Sequence, residues 1–106
     1  MQGTPAGPFE EQGLALWYGS FHAGQRTASG DAFDPDAMTA GHRTLPLGAI
    51  VWVTNLANGK GVKVKINDRG PGDTTRIIAL TRAAAQALGF STPSSEMKVK
   101  IERIDD

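Results

Sequence analysis

The amino-acid sequence predicts a mainly β domain, a small barrel or sandwich carrying one short helix. Three observations predict it. Val62, Val64 and Ile66 alternate with Lys63 and Lys65, and Val99 and Ile101 alternate with Lys98, Lys100 and Glu102, so each stretch turns one face inward and one to water. Asn58-Gly59 separates two apolar runs and tolerates the positive φ of a hairpin turn. A single Ala-rich run carries both a helix start and a helix stop. At 106 residues the chain fits one core that folds without staples, so one domain is expected.

The elements follow in order. Residues 1–12 hold two Pro, two Gly and few apolar side chains, which reads as a flexible leader, so the domain is expected to span 13–106. Leu14, Leu16 and Trp17 form a short apolar stretch ending at Gly19, suited to a first strand. Residues 21–41 show no helical period, and so long a connection in a small domain is more often functional than idle. Residues 50–55 and 61–67 are the clearest strands, and 76–80 is a shorter one. Thr81 is placed to cap a helix over about 81–88, and Gly89 stands where such a helix stops. After Pro93 the alternation returns over 97–104 as a last strand.

Composition removes several classes of function. Eleven basic and eleven acidic residues leave no net field to gather a polyanion, so nucleic acid is not an expected partner. No stretch nears the roughly 20 apolar residues of a membrane helix, and residues 1–12 lack the basic start and apolar run of a secretory signal, so no membrane contact by this domain is expected. With no cysteine there is no disulfide framework and no thiolate nucleophile. The two histidines, His22 and His42, form no His-rich zinc site, and phosphate-loop, H-E-x-x-H and G-x-S-x-G patterns are absent. No metal or cofactor is expected.

Three segments can carry chemistry. Asn67-Asp68-Arg69-Gly70-Pro71 follows a strand directly, and a strand end holds a catalytic acid firmly; the other use of Asp68 is to accept backbone hydrogen bonds in the turn. His42, in the segment leading to the strand at Ile50, can shuttle a proton or orient a carboxylate, or be only a hydrogen-bonded loop side chain. Asp31 and Asp34 either line a cleft or make turn contacts of the Asx type. Glycosidic cleavage needs a protonated acid at the leaving oxygen and often a second carboxylate, which this set supplies if folding unites it.

Taken together, Ala15-Leu16-Trp17-Tyr18-Gly19, Phe21-His22, Arg26-Thr27-Ala28-Ser29-Gly30-Asp31, Ala37-Met38-Thr39-Ala40, His42-Arg43-Thr44-Leu45-Pro46-Leu47-Gly48, Val53-Thr54-Asn55-Leu56-Ala57-Asn58-Gly59, Asn67-Asp68-Arg69-Gly70-Pro71 and Arg76-Ile77-Ile78 closely resemble the double-psi β-barrel domain of the rare lipoprotein A family, related to expansins. The resemblance implies a six-stranded double-psi barrel with a sugar-binding groove. It implies a peptidoglycan lytic transglycosylase acting on glycan strands without stem peptides, cutting between N-acetylmuramic acid and N-acetylglucosamine without water and leaving a 1,6-anhydro end. Carried over by position, Asp68 is the acid/base and His42 its neighbour in the groove. Asp31, Asp34, Trp17, Tyr18, Arg69 and position 79 are the sugar-binding set. A bacterial envelope location, on the periplasmic face of the outer membrane or outside, comes from the same resemblance.

One departure bears on activity. The family usually reads Arg-Ile-Ile-Asp-Leu-Ser-Arg where this chain has Arg76-Ile77-Ile78-Ala79-Leu80-Thr81-Arg82, so Ala79 replaces an acid, for which Asp73 is a candidate substitute. Two further readings therefore stand beside the enzyme. One is a non-catalytic, expansin-like module that grips glycan, favoured by Ala79. The other is a structural protein that docks a partner through a strand edge over 14–18.

Overall fold

Valine and isoleucine at every second position build the longest strands of this chain. The computed structural model describes residues 9–17, 24–92 and 96–105. Within them the order is β1 (Glu10–Trp17), β2 (Thr39–Gly41), β3 (Ile50–Asn55), β4 (Gly61–Asp68), β5 (Arg76–Leu80), α1 (Arg82–Ala87) and β6 (Met97–Arg103). The strands close into a barrel in the order β1-β5-β2-β4-β3-β6. Closure leaves no unpaired strand edge, which is how a small sheet avoids edge-to-edge association.

The alternation read from the sequence holds. Val51 and Val53, Val62, Val64 and Ile66, and Met97, Val99 and Ile101 fill the barrel interior with Ile78, Leu80 and Leu88. The hairpin joins β3 to β4 at the expected Asn-Gly, with Gly59 at φ 78°. The helix also falls where its signals put it. Thr81 Oγ1 accepts the Ala84 N–H at 3.2 Å and donates to the Ala37 carbonyl at 2.6 Å. At the other end, Gly89 takes φ 92°, and Asn55 and Asn58 both donate to the Leu88 carbonyl. The β3–β4 turn thus satisfies a helix carbonyl that would otherwise be left without a donor.

Two expectations are corrected. The first strand starts at Glu10, so residues 10–12 belong to the barrel and not to a leader. Glu10, Glu11 and Gln12 pair with Glu102, Ile101 and Lys100 of β6, and a ladder needs only backbone groups, so polar side chains gave no sign of it. Nor is there an open strand edge over 14–17, the described part of the 14–18 segment. β1 is flanked by β5 and β6, and Ala15 and Trp17 are core residues, so a partner has no edge to extend.

Each of the two parallel pairs carries one bulge. In β1·β5, Leu14 faces Arg76 while Ala15 faces Ile78; in β2·β4, Ala40 faces Ile66 while Gly41 faces Asp68. An extra residue in one strand re-aims the side chains beyond it. Without the bulge at Asn67, Asp68 would continue the inward series Val62, Val64, Ile66. With it, Asp68 pairs with Gly41 and turns to the outer side of the barrel. The bulge at Ile77 does the same for β5, leaving Ile78 and Leu80 inward and Ala79 outward. One outward row then crosses four strands: Leu16, Ala79, Gly41 and Asp68.

Candidate active site

Asp68 ends β4 at the rim of this row, half-buried, and is held by the backbone around it. Its Oδ1 accepts the N–H of Arg69 at 2.8 Å and of Ala28 at 2.9 Å. Its Oδ2 takes no hydrogen bond among the described residues. The turn beyond it requires glycine, since Gly70 lies at φ 127°, where a side chain is strained. Asp68 thus serves the turn through one oxygen, while the other has no hydrogen-bond partner among the described residues.

His42 sits against Asp68 through the main chain, its N–H donating to the Asp68 carbonyl at 3.0 Å. The imidazole itself is buried, and both ring nitrogens are engaged. Nδ1 accepts the Thr44 and Leu45 N–H groups, each at 3.1 Å, which fixes the ring proton on Nε2. That proton is donated to Glu11 Oε1 at 2.9 Å. Phe9 packs edge-on against the ring, with centroids 5.7 Å apart at 84°. Glu11 is the partner of the site histidine that sequence reasoning missed. Its only signal was a carboxylate in a stretch read as leader, and its partner lies 31 positions away.

Two arginines tie the His and Asp segments to each other. Arg69 Nη1 donates to the carbonyls of His42, at 3.1 Å, and Leu45. Arg43 Nη1 returns the contact, donating to the carbonyl of Pro71 at 2.8 Å. Arg69, expected to bind sugar, therefore holds the loop that carries His42. A multi-donor guanidinium suits this because one group can hold several carbonyls.

The remaining expected residues divide. Asp31 is brought to the site: Ser29 donates its N–H to the Asn67 carbonyl and its hydroxyl to Asp31 Oδ2 at 2.9 Å. Asp34 is exposed and accepts the Asp36 N–H at 2.9 Å, the turn use, with no contact to Asp68 among the described residues. Trp17 is corrected to a core residue; it lies opposite Leu80 and is only 9% exposed. Tyr18 lies outside the described residues. Ala79 faces outward and is fully buried among the described residues. Asp73, the candidate substitute for the acid at position 79, is engaged within its own turn. Its Oδ1 accepts the hydroxyl and N–H of Thr75, which hold its carboxyl below the ordinary 3.8.

Residues 10–101 match the family model described as "Lytic transglycolase". The chain is 50% identical over 93 residues to the endolytic peptidoglycan transglycosylase RlpA of Pseudomonas aeruginosa, covering 88% of this chain and 27% of that protein. It is 48% identical over 96 residues to the protein of the same name in Neisseria meningitidis, covering 91% of this chain and 40% of that one. The Escherichia coli protein of that name is 47% identical over 96 residues, covering 91% and 26%. The chain thus spans between a quarter and two fifths of these relatives' length. Among solved structures, the Streptomyces papain inhibitor matches with a TM-score of 0.72 at 18% identity, covering 92% of this chain and 96% of that one, a likeness of fold. The chain belongs to the lytic transglycolase family, with the double-psi barrel that its resemblance to rare lipoprotein A led us to expect.

Proposed function

We propose that this chain cleaves the glycan strands of bacterial peptidoglycan at the bond between N-acetylmuramic acid and N-acetylglucosamine, without water, on strands that lack stem peptides. The observation that carries the reading is the union of Asp68 and His42, 26 positions apart in the chain, by a direct backbone hydrogen bond. In this reading Asp68 Oδ2 is the acid/base. It delivers a proton to the glycosidic oxygen as the bond to the muramic C1 breaks. It then takes the proton from the same sugar's C6 hydroxyl as that oxygen closes on C1 to form the anhydro ring. One group in both roles needs no second nucleophile, since the hydroxyl belongs to the substrate.

The Glu11–His42 pair is a positioning device in this scheme. Its hydrogen bonds orient the loop that contributes the His42 N–H to Asp68, and Asp31, linked through Ser29, is a sugar-contact candidate beside it. The names of the relatives support peptidoglycan as substrate, and with it a location at the bacterial cell envelope.

Ala79 favours a second reading, a module that binds glycan without cutting it. Ala79 lies two strands from Asp68 on the outward row, about 10 Å away by strand spacing, where an aspartate would bring a second carboxylate to the same surface. The test is mass analysis of products from peptide-free glycan strands, with the wild-type chain beside Ala79→Asp. Anhydro-ended fragments from the wild type support the enzyme; fragments only from Ala79→Asp mean that alanine has silenced an intact site. Binding with no fragments from either supports the second reading and overturns the first.

A further inference from the structure

Zero net charge conceals an uneven use of the cationic side chains. The chain holds six arginines and five lysines, and the arginines are spent internally. Arg26, Arg43 and Arg69 donate to backbone carbonyls, Arg76 to the Thr75 hydroxyl, and Arg82 and Arg103 to Asp36 and Asp105. The lysines are not. Only Lys100 has an ionic partner among the described residues, Glu102 at 3.7 Å, and Lys60, Lys63, Lys65 and Lys98 have none. All five lie on β4, on β6 or in the turn before β4, the strands that flank β3. Of the acids, Asp31, Asp34, Asp36 and Asp73 lie in the β1–β2 and β4–β5 connections, while Glu102 lies on β6, Glu10 opposite it on β1, and Glu96 and Asp105 next to the ends of β6.

At the middle of the lysine side is the largest exposed aromatic among the described residues. Trp52 of β3 is 40% exposed, with Lys63 of β4 and Glu102 of β6 as its lateral neighbours. Its indole occupies the space above Gly61: a Cβ there would stand 2.5 Å from three indole atoms. Glycine at 61 therefore lets the ring lie down on the sheet as a platform instead of standing off it. A hydrophobic side chain of this size left on a sheet face beside the unpaired ammonium group of Lys63 fits a ligand that is a ring and an anion together.

We infer that the outer face of β4 and β3, around Trp52, Lys63 and Lys65, is a distal subsite for the carboxylate-bearing glycan strand whose other end lies at Asp68. The inference deepens the proposed function and rests on it. Continuity along one strand argues for it. Lys63 and Lys65 point outward from β4, and the bulge at Asn67 turns Asp68 to that same outer side, roughly 15 Å further along. A glycan running along β4 therefore meets the indole and both lysines before it reaches the carboxylate. Charge complementarity argues for it as well. A muramic residue stripped of its peptide exposes its own carboxylate at every second sugar, so a peptide-free strand repeats a negative charge along its length. Lys63 and Lys65 offer it two unpaired ammonium groups spaced along the same direction. Glu102, lateral to Trp52 on the far strand, is already paired with Lys100 and borders the track on the side away from β4.

The test is the affinity of the whole chain for labelled, peptide-free peptidoglycan strands, compared with the same strands after methyl esterification of their carboxyl groups. Lys63→Gln combined with Lys65→Gln is expected to weaken binding of the free-carboxylate strands roughly three- to tenfold at low salt, as for two exposed ion pairs. The same variant is expected to bind esterified strands as the wild type does, because the charges it would answer are gone. Trp52→Ala weakens both forms, and an unchanged thermal transition of each variant separates lost contact from lost fold. The lysine variant binding free-carboxylate strands as tightly as wild type, while anhydro products still form, overturns this inference and leaves the proposed function standing. A wild-type chain that binds neither form of strand overturns both.

Discussion

Burial at the His42 ring is tolerable only because every polar atom there has a partner. Nδ1 has two backbone donors and Nε2 has Glu11, so the ring is oriented before any substrate arrives. Glu11→Ala is expected to strand the Nε2 proton and lower kcat/KM about tenfold, whereas Glu11→Gln, whose amide oxygen still accepts, restores most of it; steady-state kinetics on both variants checks this. Asp73 makes a different kind of prediction. Hydrogen bonds from the Thr75 hydroxyl and N–H, then the charges of Arg76 and Arg43, hold its folded value below 3.8. The folded chain therefore binds fewer protons at this site than the unfolded chain as pH falls past 3.8. The stabilisation is present above that pH and is lost as pH drops through the folded value. Urea unfolding should show Asp73→Asn less stable than wild type at pH 7, with the difference shrinking as pH is lowered below 3.8.

At the scale of elements, the helix is tied to the barrel at both ends. Thr81 caps it and holds the β1–β2 connection through Ala37, so Thr81→Ala removes two hydrogen bonds from a fully buried site. A loss of about 1–2 kcal/mol in unfolding free energy is expected from denaturant titration, the upper range for a cap. The elements that could be read in advance are those whose pattern is local. The strands over 50–55, 61–67 and 97–104 alternate, and the helix has its own start and stop. β2 was hidden because its three residues, Thr39–Gly41, are too few to alternate and its pairing with β4 begins only after a long connection. The start of β1 was hidden because Glu10–Gln12 join through backbone groups while their side chains are polar. The bulges were invisible for a related reason. They are mismatches between two strands, and neither strand alone records them.

Over the whole molecule, the barrel acts as a frame that converts distance in sequence into contact. Asp68 and His42 were each readable as candidates from residue type and position, and their family resemblance named them together. What no segment could show was the support: Glu11 across the barrel end, the exchange of carbonyl contacts by Arg43 and Arg69, and the outward turn that a single extra residue gives Asp68. Trp17 shows the limit from the other side, since an aromatic near a strand end is equally good for core and for sugar until its facing is known. The central claim is that the open oxygen of Asp68 performs the proton transfers. The most direct measurement is the rate of anhydro-ended product release from peptide-free glycan strands by wild type and by Asp68→Asn, with thermal unfolding of both. The account predicts a loss of at least about 100-fold with the fold intact, the scale of a removed general acid; release by Asp68→Asn at the wild-type rate would contradict it.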